Sequence, residues 1–527
     1  MPRLPHGRSI STQQIKRARS ALAAHSVPVD LAFSATAPVD LQRFDYLFVG
    51  LQSDPDNLLP EAAATRDDLV RLGKTMMEAA AVMDDPAGDS AIPAAYTYLG
   101  QFIDHDVTLE ALSAALPDLT APGLRPMALA DARTLLRNAR TASLDLDSVY
   151  GLPAPRSGDQ MVLGTVSPTV NNNPPLARPP GKDDLNDLPR EARSEDPEHD
   201  RAALIGDPRN DENTIISQLH VAFLRAHNAI VARGHGFDEA GVLLRQHYQH
   251  VVIHDFLRRI VDPALVDRIL QYGNRFYDAM AEPFYLPLEF TVAAYRFGHT
   301  MVRGAYDFNL NFNRTRGGIP ATLQLLFTFT AFSGQLGDFA TLPHNWIVEW
   351  PELIGDGPEV EKTRRLDTRL VEPLFTLPQI DGQPEPGDRG RLAVRNLLRG
   401  YLLRMPTGQA VARALGVAPL TAAELEAVAA SVPAAPGGES QLDVLRSAGF
   451  LERTPLWFYV LAEAASVGDG QRLGPVGGTI VAEVLIGLVR RSKDSILRTY
   501  GWRPTLPSAR GDGHFDLSDL LRLAGVL

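Results

Sequence analysis

Apolar residues recur every three or four positions through much of this 527-residue chain, with polar residues between them. This spacing is typical of amphipathic helices that bury one face, whereas the strict alternation of a half-buried strand is rare here. The pattern predicts helices over 60–85, 91–112, 214–232, 238–260, 288–302, 391–409 and 476–497. A capping box at 421–424 predicts the start of a further helix. The fold class is therefore mainly α.

One predicted helix carries several polar side chains among apolar ones, in the stretch 97–108. Helical spacing places Gln101 and His105 on one face, with Asp104 at its border, and turns Asp106 away from them. An amide, an imidazole and a carboxylate thus converge on one side of the helix. The alternative interpretation is a helix with one structural histidine and two solvated aspartates.

A second segment alternates oxygen-bearing side chains with apolar ones, at Thr141, Ser143, Asp145 and Asp147. Alternation puts the four side chains on one side of an extended segment. Hydroxyl, carbonyl and carboxylate oxygens at this spacing suit calcium, a hard cation that prefers oxygen ligands. The alternative is a β-strand with one polar face. An EF-hand is not predicted, because its glycine and its distal glutamate are missing.

Two other positions combine polar chemistry with helical surroundings. Arg209 and Glu212 lie three residues apart where a long helix is about to begin, and an ion pair between them is the simplest interpretation. His299 follows Gly298 within an apolar helix. A histidine beside a glycine can ligate a flat cofactor, since the glycine lets the ring approach. The alternative for His299 is a histidine packed into the core.

Composition excludes several classes of function. The formal net charge is −12 and the pI is about 5.6, so binding to nucleic acid or to an anionic membrane surface is not expected. The chain has no cysteine, which excludes disulfides and thiolate-ligated metals. No apolar run is long enough to span a membrane. The basic N-terminus lacks the apolar core of a secretory signal, so we expect a cytoplasmic protein or export by another route.

The motifs in this chain resemble those of the animal-type haem peroxidases, the peroxidase–cyclooxygenase superfamily, over residues 90–500. Six motifs occur in the order typical of that family. They are Gly100-Gln101-Phe102-Ile103-Asp104-His105-Asp106, the 141–151 loop ending in Val149-Tyr150-Gly151, Arg209 with Glu212, Arg225-Ala226-His227-Asn228, Arg296-Phe297-Gly298-His299-Thr300 and Arg395-Asn396-Leu397-Leu398-Arg399. The lack of cysteines and of a signal peptide is similar to the bacterial members. We expect an N-terminal extension over 1–55 and one catalytic domain over 56–527.

The resemblance implies a helical domain with haem b between a distal helix near 100–108 and a proximal helix near 290–302. His105 would be the distal acid–base residue, which moves a proton between the two peroxide oxygens. Arg209 would stabilise charge as the O–O bond breaks. Gln101 would hydrogen-bond a distal water or a halide.

The same resemblance implies how the haem is held. His299 would ligate the iron. Asn396 would accept a hydrogen bond from the other ring nitrogen of His299, which fixes the tautomer. Arg296 and Arg399 would lie near the haem propionates.

Calcium and covalent haem attachment are also implied. The calcium ligands would be Asp106, Thr141, Ser143, Asp145 and Asp147. Asp104 and Glu212 match the positions that form ester bonds to haem methyl groups in this family. Asn213 stands where some members have a methionine that forms a sulfonium link, so we expect that link to be absent and chloride to be oxidised poorly.

The function implied is the oxidation of small organic donors or halides by hydrogen peroxide through Compound I, as in a response to oxidative stress. One alternative is a haem-dependent fatty-acid dioxygenase, which in this family has a tyrosine three residues before the proximal histidine. Arg296 occupies that position here, with Tyr295 one residue away. The other alternative is a peroxidase-like adhesion or structural module. The sequence leaves the physiological donor and the oligomeric state open.

Overall fold

The structure is a computed structural model. The structure describes residues 10–11, 13–15, 41–78, 85–112, 117–151, 155–168, 176–196, 198–328, 340–379, 383–434, 437–511 and 513–527. Most of the predicted N-terminal extension, 1–55, lies outside these residues. Its described end, Gln42–Asp45, is a strand that pairs with two others.

Helices make up most of the regular structure, as predicted from the apolar spacing. The α-helices are α1 (Ala63–Thr75), α2 (Ala95–Val107), α3 (Leu129–Leu135), α4 (Asp147–Tyr150), α5 (Thr214–Val231), α6 (Phe237–Val251), α7 (Leu257–Ile260), α8 (Pro263–Tyr272), α9 (Leu323–Thr328), α10 (Leu392–Leu402), α11 (Gly408–Leu415), α12 (Ala422–Ala430), α13 (Gln441–Ser447), α14 (Leu456–Val467), α15 (Pro475–Arg491) and α16 (Leu517–Leu523). The predicted capping box is present, with Thr421 and Glu424 satisfying each other's backbone N–H groups at the start of α12.

The strands are short, with two to five residues each. They are β1 (Ile10–Ser11), β2 (Gln42–Asp45), β3 (Asp89–Pro93), β4 (Glu110–Leu112), β5 (Leu136–Asn138), β6 (Arg156–Ser157), β7 (Gln160–Met161), β8 (Tyr285–Pro287), β9 (Ala305–Tyr306), β10 (Ala321–Thr322) and β11 (Lys362–Arg364). Five of them form one mixed sheet in the order β1-β4-β5-β2-β8. In this sheet β1 pairs with β4 and β2 with β8 in parallel, and the other two pairings are antiparallel.

Helix α2 lies in the core of the molecule. Its Phe102 stacks on Phe223 of α5 with ring centroids 4.3 Å apart, and both rings meet Tyr248 of α6 edge-on. All three side chains are fully buried. Such aromatic contacts fix the rotation of α2 about its own axis, because burying the opposite face would expose these rings. The polar face of α2 is thereby turned toward the segment that contains His299.

Two predicted helices contain irregular turns. The range 238–260 is α6 and α7 joined by a π-helical turn at Val252–Phe256. The range 288–302 is a π-helical turn, Glu289–Ala293, followed by a 3₁₀ helix, Ala294–Met301, and is not the regular α-helix that its periodicity predicts. Irregular helical turns of this kind occur often at functional sites. Within the described residues, no helix combines the length and the apolar character needed to cross a membrane.

Candidate functional site

A cavity of about 220 Å³ lies between α2 and the Glu289–Met301 segment. Its lining contains every residue that the sequence predicts for catalysis or haem binding. These are Gln101, Asp104, His105, Arg209, Glu212, Arg296, His299, Asn396 and Arg399. The rest of the wall is largely apolar, with aromatic and leucine side chains from several elements. The structure therefore brings nine residues from four sequence regions to the walls of one cavity.

Helical geometry divides the polar residues of α2 as predicted. Gln101, Asp104 and His105 line the cavity, while Asp106 is fully buried on another side of the helix. The Nδ1 atom of His105 lies 2.8 Å from Oδ1 of Asn210. Burial and the neighbouring Arg209 cation both lower the pKa of His105 below its ordinary value. His105 is therefore a neutral imidazole at neutral pH.

Arg209 is held beside His105 by a carboxylate that the sequence analysis did not single out. Asp207 accepts hydrogen bonds from Nε of Arg209 at 3.0 Å and from Nη2 at 2.7 Å, and it also pairs with Arg140. Burial alone would raise the pKa of the Asp207 carboxyl, but the two guanidinium groups hold it well below its usual range. Arg209 thus pairs with Asp207, whereas the sequence suggested Glu212 as its partner. The Nη1 atom of Arg209 approaches Asp104 at 3.9 Å.

Glu212 instead contacts the amide of α2. The Nε2 atom of Gln101 donates to Glu212 at 2.5 Å, and Nδ2 of Asn213 donates to Oε1 of Gln101 at 3.4 Å. Asn213 is also the N-cap of α5, where its Oδ1 accepts from the backbone N–H of Ile216. The orientation of the Gln101 amide in the cavity is thus set by two residues that immediately precede α5.

On the opposite wall, Asn396 bridges His299 and Arg296. Its Nδ2 lies 2.9 Å from Nδ1 of His299, and its Oδ1 accepts from Nη1 of Arg296 at 2.5 Å. The predicted contact between Asn396 and His299 is present. We expected the amide oxygen of Asn396 to face the imidazole, but its nitrogen does. The oxygen instead accepts a hydrogen bond from the guanidinium of Arg296.

Cationic side chains gather at this end of the cavity. Arg296, Arg395 and Arg399 all line it, and Arg399 forms an ion pair with Glu110. Burial, followed by repulsion from Arg399, lowers the pKa of Arg296. Two guanidinium groups that repel each other in a buried place favour an anionic ligand between them.

The 141–147 loop lies behind α2, away from the cavity. Leu146 and Ser148 donate their backbone N–H groups to Asp106, and Thr141 donates its own to Asp147. The loop is not the extended segment that alternation predicts. Ala142 and Leu146 both adopt the left-handed conformation, with φ of 49° and 57°, which is uncommon for residues with a side chain.

The predicted calcium ligands, on this loop and on α2, differ in burial. Asp106, Ser143 and Asp147 are buried, Asp145 is half-buried and accepts from Ser492, and Thr141 is exposed. Burial, followed by repulsion from Asp147 and Asp145, raises the pKa of Asp106 well above its ordinary value. Across the described ranges, no three acidic or imidazole groups have the arrangement of a metal site. Calcium binding stays a prediction.

Sequence reasoning missed Asp207, Asn210 and Glu110. Asp207 precedes a proline and caps the 3₁₀ turn Pro208–Asp211 by accepting from the backbone N–H of Arg209. Asp before Pro is a turn-initiating signal, so the turn-capping role of Asp207 was predictable from the sequence. The contacts of Asn210 with His105 and of Glu110 with Arg399 join residues more than a hundred positions apart, and no local pattern encodes them.

Comparison with known protein sequences points to one family. The family model for animal haem peroxidase matches residues 130–333. The peroxidase-like protein of Margaritifera margaritifera is 27% identical over 205 residues, which are 36% of this chain and 24% of that protein. The dual oxidase of Drosophila melanogaster is 31% identical over 147 residues, which are 26% of this chain and 9% of that protein. The matched stretches thus span about a quarter and about a tenth of these relatives.

Solved structures share the fold over most of the chain. Peroxidase A of Dictyostelium discoideum superposes with a TM-score of 0.53 at 15% identity, covering 86% of this chain and 88% of that one. The fatty acid α-dioxygenase of Oryza sativa superposes with a TM-score of 0.51 at 12% identity, covering 92% of this chain and 86% of that one. The predicted resemblance is confirmed: residues 130–333 match the family model for animal haem peroxidase, and the chain has the helical fold of these solved structures.

Proposed function

We propose that this protein is a haem peroxidase that uses hydrogen peroxide to oxidise small organic donors or halides. The observation that carries the proposal is the placement of His105 and His299 on different walls of one cavity, with Arg209 beside His105. His299 would then hold an iron atom, and His105 would exchange protons with a peroxide in the same cavity. A structural module would have no need for this pairing.

The cavity fits haem b by its chemistry. Its apolar walls suit a macrocycle, and the arginines at one end suit two propionates. A Cβ atom built on Gly298, next to His299, would meet no atom within 4 Å, which leaves room for a flat group beside the ring. Bound haem supplies a redox-active iron at which the peroxide O–O bond is cleaved.

His299 is the residue that would hold the iron. An imidazole that ligates through Nε2 carries its proton on Nδ1, so the oxygen of Asn396 must face it. A propionate on Arg296 would compete for the guanidinium that now occupies this oxygen. Haem binding and the final orientation of the Asn396 amide are therefore coupled.

His105 and Arg209 would carry the proton and charge steps. A neutral His105 takes a proton from one peroxide oxygen and returns it to the other, which then leaves as water. The guanidinium of Arg209 stabilises the negative charge that develops on the peroxide oxygens. Asp207 holds this cation in place, because it accepts hydrogen bonds from Nε and Nη2 of Arg209. The Nη1 atom of Arg209 is then the one that approaches Asp104.

Calcium binding by the loop behind α2 is part of the proposal. Burial, together with repulsion from Asp147 and Asp145, raises the pKa of Asp106. The buried Ser148 hydroxyl has no hydrogen-bond partner among the described residues. A divalent cation would relieve the repulsion and satisfy this oxygen. These residues fit a hard cation by donor type.

Ester bonds from Asp104 and Glu212 to haem are the last part. Both carboxylates line the cavity, and Asp104 keeps a 37% exposed side chain that faces this space. A bound macrocycle would desolvate them, and esterification removes the charge that makes burial costly. Asn213 provides no sulfur for a third link.

A fatty-acid dioxygenase is the second candidate, because dioxygenases share the fold. Tyr295 lines the cavity, but its hydroxyl donates to the backbone oxygen of Gly100 at 3.2 Å.

The test of the proposed function is a visible spectrum of the haem-loaded protein with and without peroxide, followed by turnover of a guaiacol-type donor. Wild type should react, and His105→Leu should keep the haem band but lose turnover. Oxygen uptake with a fatty acid and no donor turnover would replace the proposal with the second candidate.

A further inference from the structure

Three buried polar side chains form a series that begins at the cavity and ends inside α5. Nδ1 of His105 lies 2.8 Å from Oδ1 of Asn210, and Nδ2 of Asn210 lies 3.0 Å from Nδ1 of His220. The three residues are 3%, 0% and 1% exposed. We propose that Asn210 couples the tautomers of the two histidines, so that His105 carries its proton on Nδ1 while His220 accepts at Nδ1. Asn210 and His220 are thus positioning residues for His105.

The argument follows from the two ends of an amide. The oxygen of Asn210 can only accept, so Nδ1 of His105 must carry the proton and Nε2 must hold the lone pair. The nitrogen of Asn210 can only donate, so Nδ1 of His220 must accept. Burial lowers the pKa of His220 to about 3, which keeps its ring neutral. A neutral ring that accepts at Nδ1 carries its proton on Nε2.

The two tautomers are therefore coupled. If the amide of Asn210 turned over, its nitrogen would face His105 and its oxygen would face His220. The proton of His105 would then move to Nε2 and that of His220 to Nδ1. In that reversed state His105 would present an N–H group to the cavity and could not accept a proton there. The orientation seen in the structure is the one in which His105 is a base at Nε2.

Backbone structure fixes both partners. Asn210 lies in the 3₁₀ turn Pro208–Asp211, and its N–H donates to the carbonyl of Asp207 at 3.1 Å. His220 lies on α5 and packs against the ring of Phe102 on α2 with centroids 5.9 Å apart. The series thus spans three separate elements. The tautomer claim concerns the chain alone, whereas its effect on peroxide rests on the proposed function.

The test is nitrogen NMR of the full-length chain labelled with ¹⁵N-histidine at neutral pH. Two-bond ¹⁵N–¹H correlations distinguish protonated from unprotonated ring nitrogens, and His105→Gln and His220→Gln assign the two signals. His247 is an internal reference, because its Nδ1 lies 2.7 Å from the Leu243 carbonyl, which only accepts. We expect His105 to show the same Nδ1–H form as His247, and His220 the Nε2–H form. A proton on Nε2 of His105 would overturn the proposal.

Two substitutions of Asn210 extend the test. Asn210→Asp offers only acceptor oxygens, so His220 should change to the Nδ1–H form while His105 keeps its own. Asn210→Leu removes both contacts, so both rings should lose their single tautomer. Unchanged His247 signals would show that each variant folds. A His220 that keeps the Nε2–H form in Asn210→Asp would contradict the coupling.

A kinetic measurement separates this inference from the proposed function. In haem-loaded Asn210→Leu, the rate constant for the reaction with peroxide should fall by about 10–100-fold, as for other residues that orient a functional histidine. The haem spectrum should not change. Wild type with the expected tautomers but no peroxide reaction would refute the proposed function and support the tautomer assignment. An unchanged rate in Asn210→Leu would overturn the positioning role.

Discussion

Asp207 is the buried carboxylate on which the charge arrangement of the cavity depends. Its side chain is 0% exposed and lies between Arg209 and Arg140, whose side chains are 11% and 4% exposed. Asp207→Asn keeps the shape of the side chain but removes its charge. Two guanidinium groups then remain buried without their shared counter-ion. We expect both the stability of the fold and the reaction with peroxide to suffer.

The size of the stability loss follows from the burial. Removing one partner of a buried ion pair costs about 3–5 kcal/mol, because the remaining charge is uncompensated. The pKa of Asp207 is depressed in the folded protein. Its contribution is therefore fully present above the unfolded pKa of about 3.9 and is lost as the pH falls toward the folded pKa. The difference between wild type and Asp207→Asn should be constant near neutral pH and shrink on acidification.

Urea unfolding followed by circular dichroism measures this loss. Asp118→Asn is the matched control, because Asp118 pairs with Arg389 at the surface, with side chains 43% and 54% exposed. Surface pairs contribute only about 0–1 kcal/mol, so the control should unfold almost as wild type does. The haem-loaded Asp207→Asn protein should also react more slowly with peroxide. Losing one charge-stabilising donor lowers a rate about 10²–10³-fold, and the decrease here should not exceed that. Equal stability losses in the two variants would refute the reasoning.

The remaining predictions concern the ligands. His299→Ala should lose the Soret band or shift it, because the iron loses its imidazole. Asp145→Ala should lower bound calcium and haem retention together, since the loop is hydrogen-bonded to α2. Peroxide-treated wild type should keep its haem through acid–butanone extraction, whereas Asp104→Val with Glu212→Gln should release it. Mass spectrometry of the intact adduct should show ester links only.

The ligand predictions can be checked with control variants and with results that would contradict them. His254→Ala changes an exposed histidine and should leave the haem spectrum unaltered, so the same spectrum in His299→Ala would exclude iron ligation. Asp131→Ala changes an exposed aspartate and should leave metal content unaltered. Elemental analysis that finds no calcium in wild type would exclude the calcium site. Free release of haem from peroxide-treated wild type would mean that Asp104 and Glu212 act without covalent bonds.

Local periodicity was enough to predict how α2 presents its polar groups. Gln101 and His105 are one turn apart, so a helix of any packing places them on one face and Asp106 on another. The prediction that His299 lies in the same cavity came from the family resemblance and not from residue spacing. The motif around His105 lies outside the matched range 130–333, yet it lines the cavity with residues inside that range.

The sequence could not reveal the irregular backbone near the site. Apolar spacing in 288–302 is compatible with α-, π- and 3₁₀-helical turns, and packing decides among them. Likewise, alternation in 141–147 predicts an extended segment, but Ala142 and Leu146 are left-handed. Neither residue is a glycine or an asparagine, so no conformational preference marks these positions. Surrounding contacts hold the loop in this form.

Arg140 explains why the loop and the cavity are structurally linked. It directly precedes the loop, its Nε donates to the backbone oxygen of His105 at 3.1 Å, and its Nη2 binds Asp207. Asp207 in turn holds Arg209, while the loop donates backbone N–H groups to Asp106. A shift of the loop would therefore move the carboxylate that orients the cavity arginine and the helix that carries the distal imidazole. These two buried paths would couple the proposed ion in the loop to the proposed chemistry in the cavity, and neither path would require the ion to contact the haem.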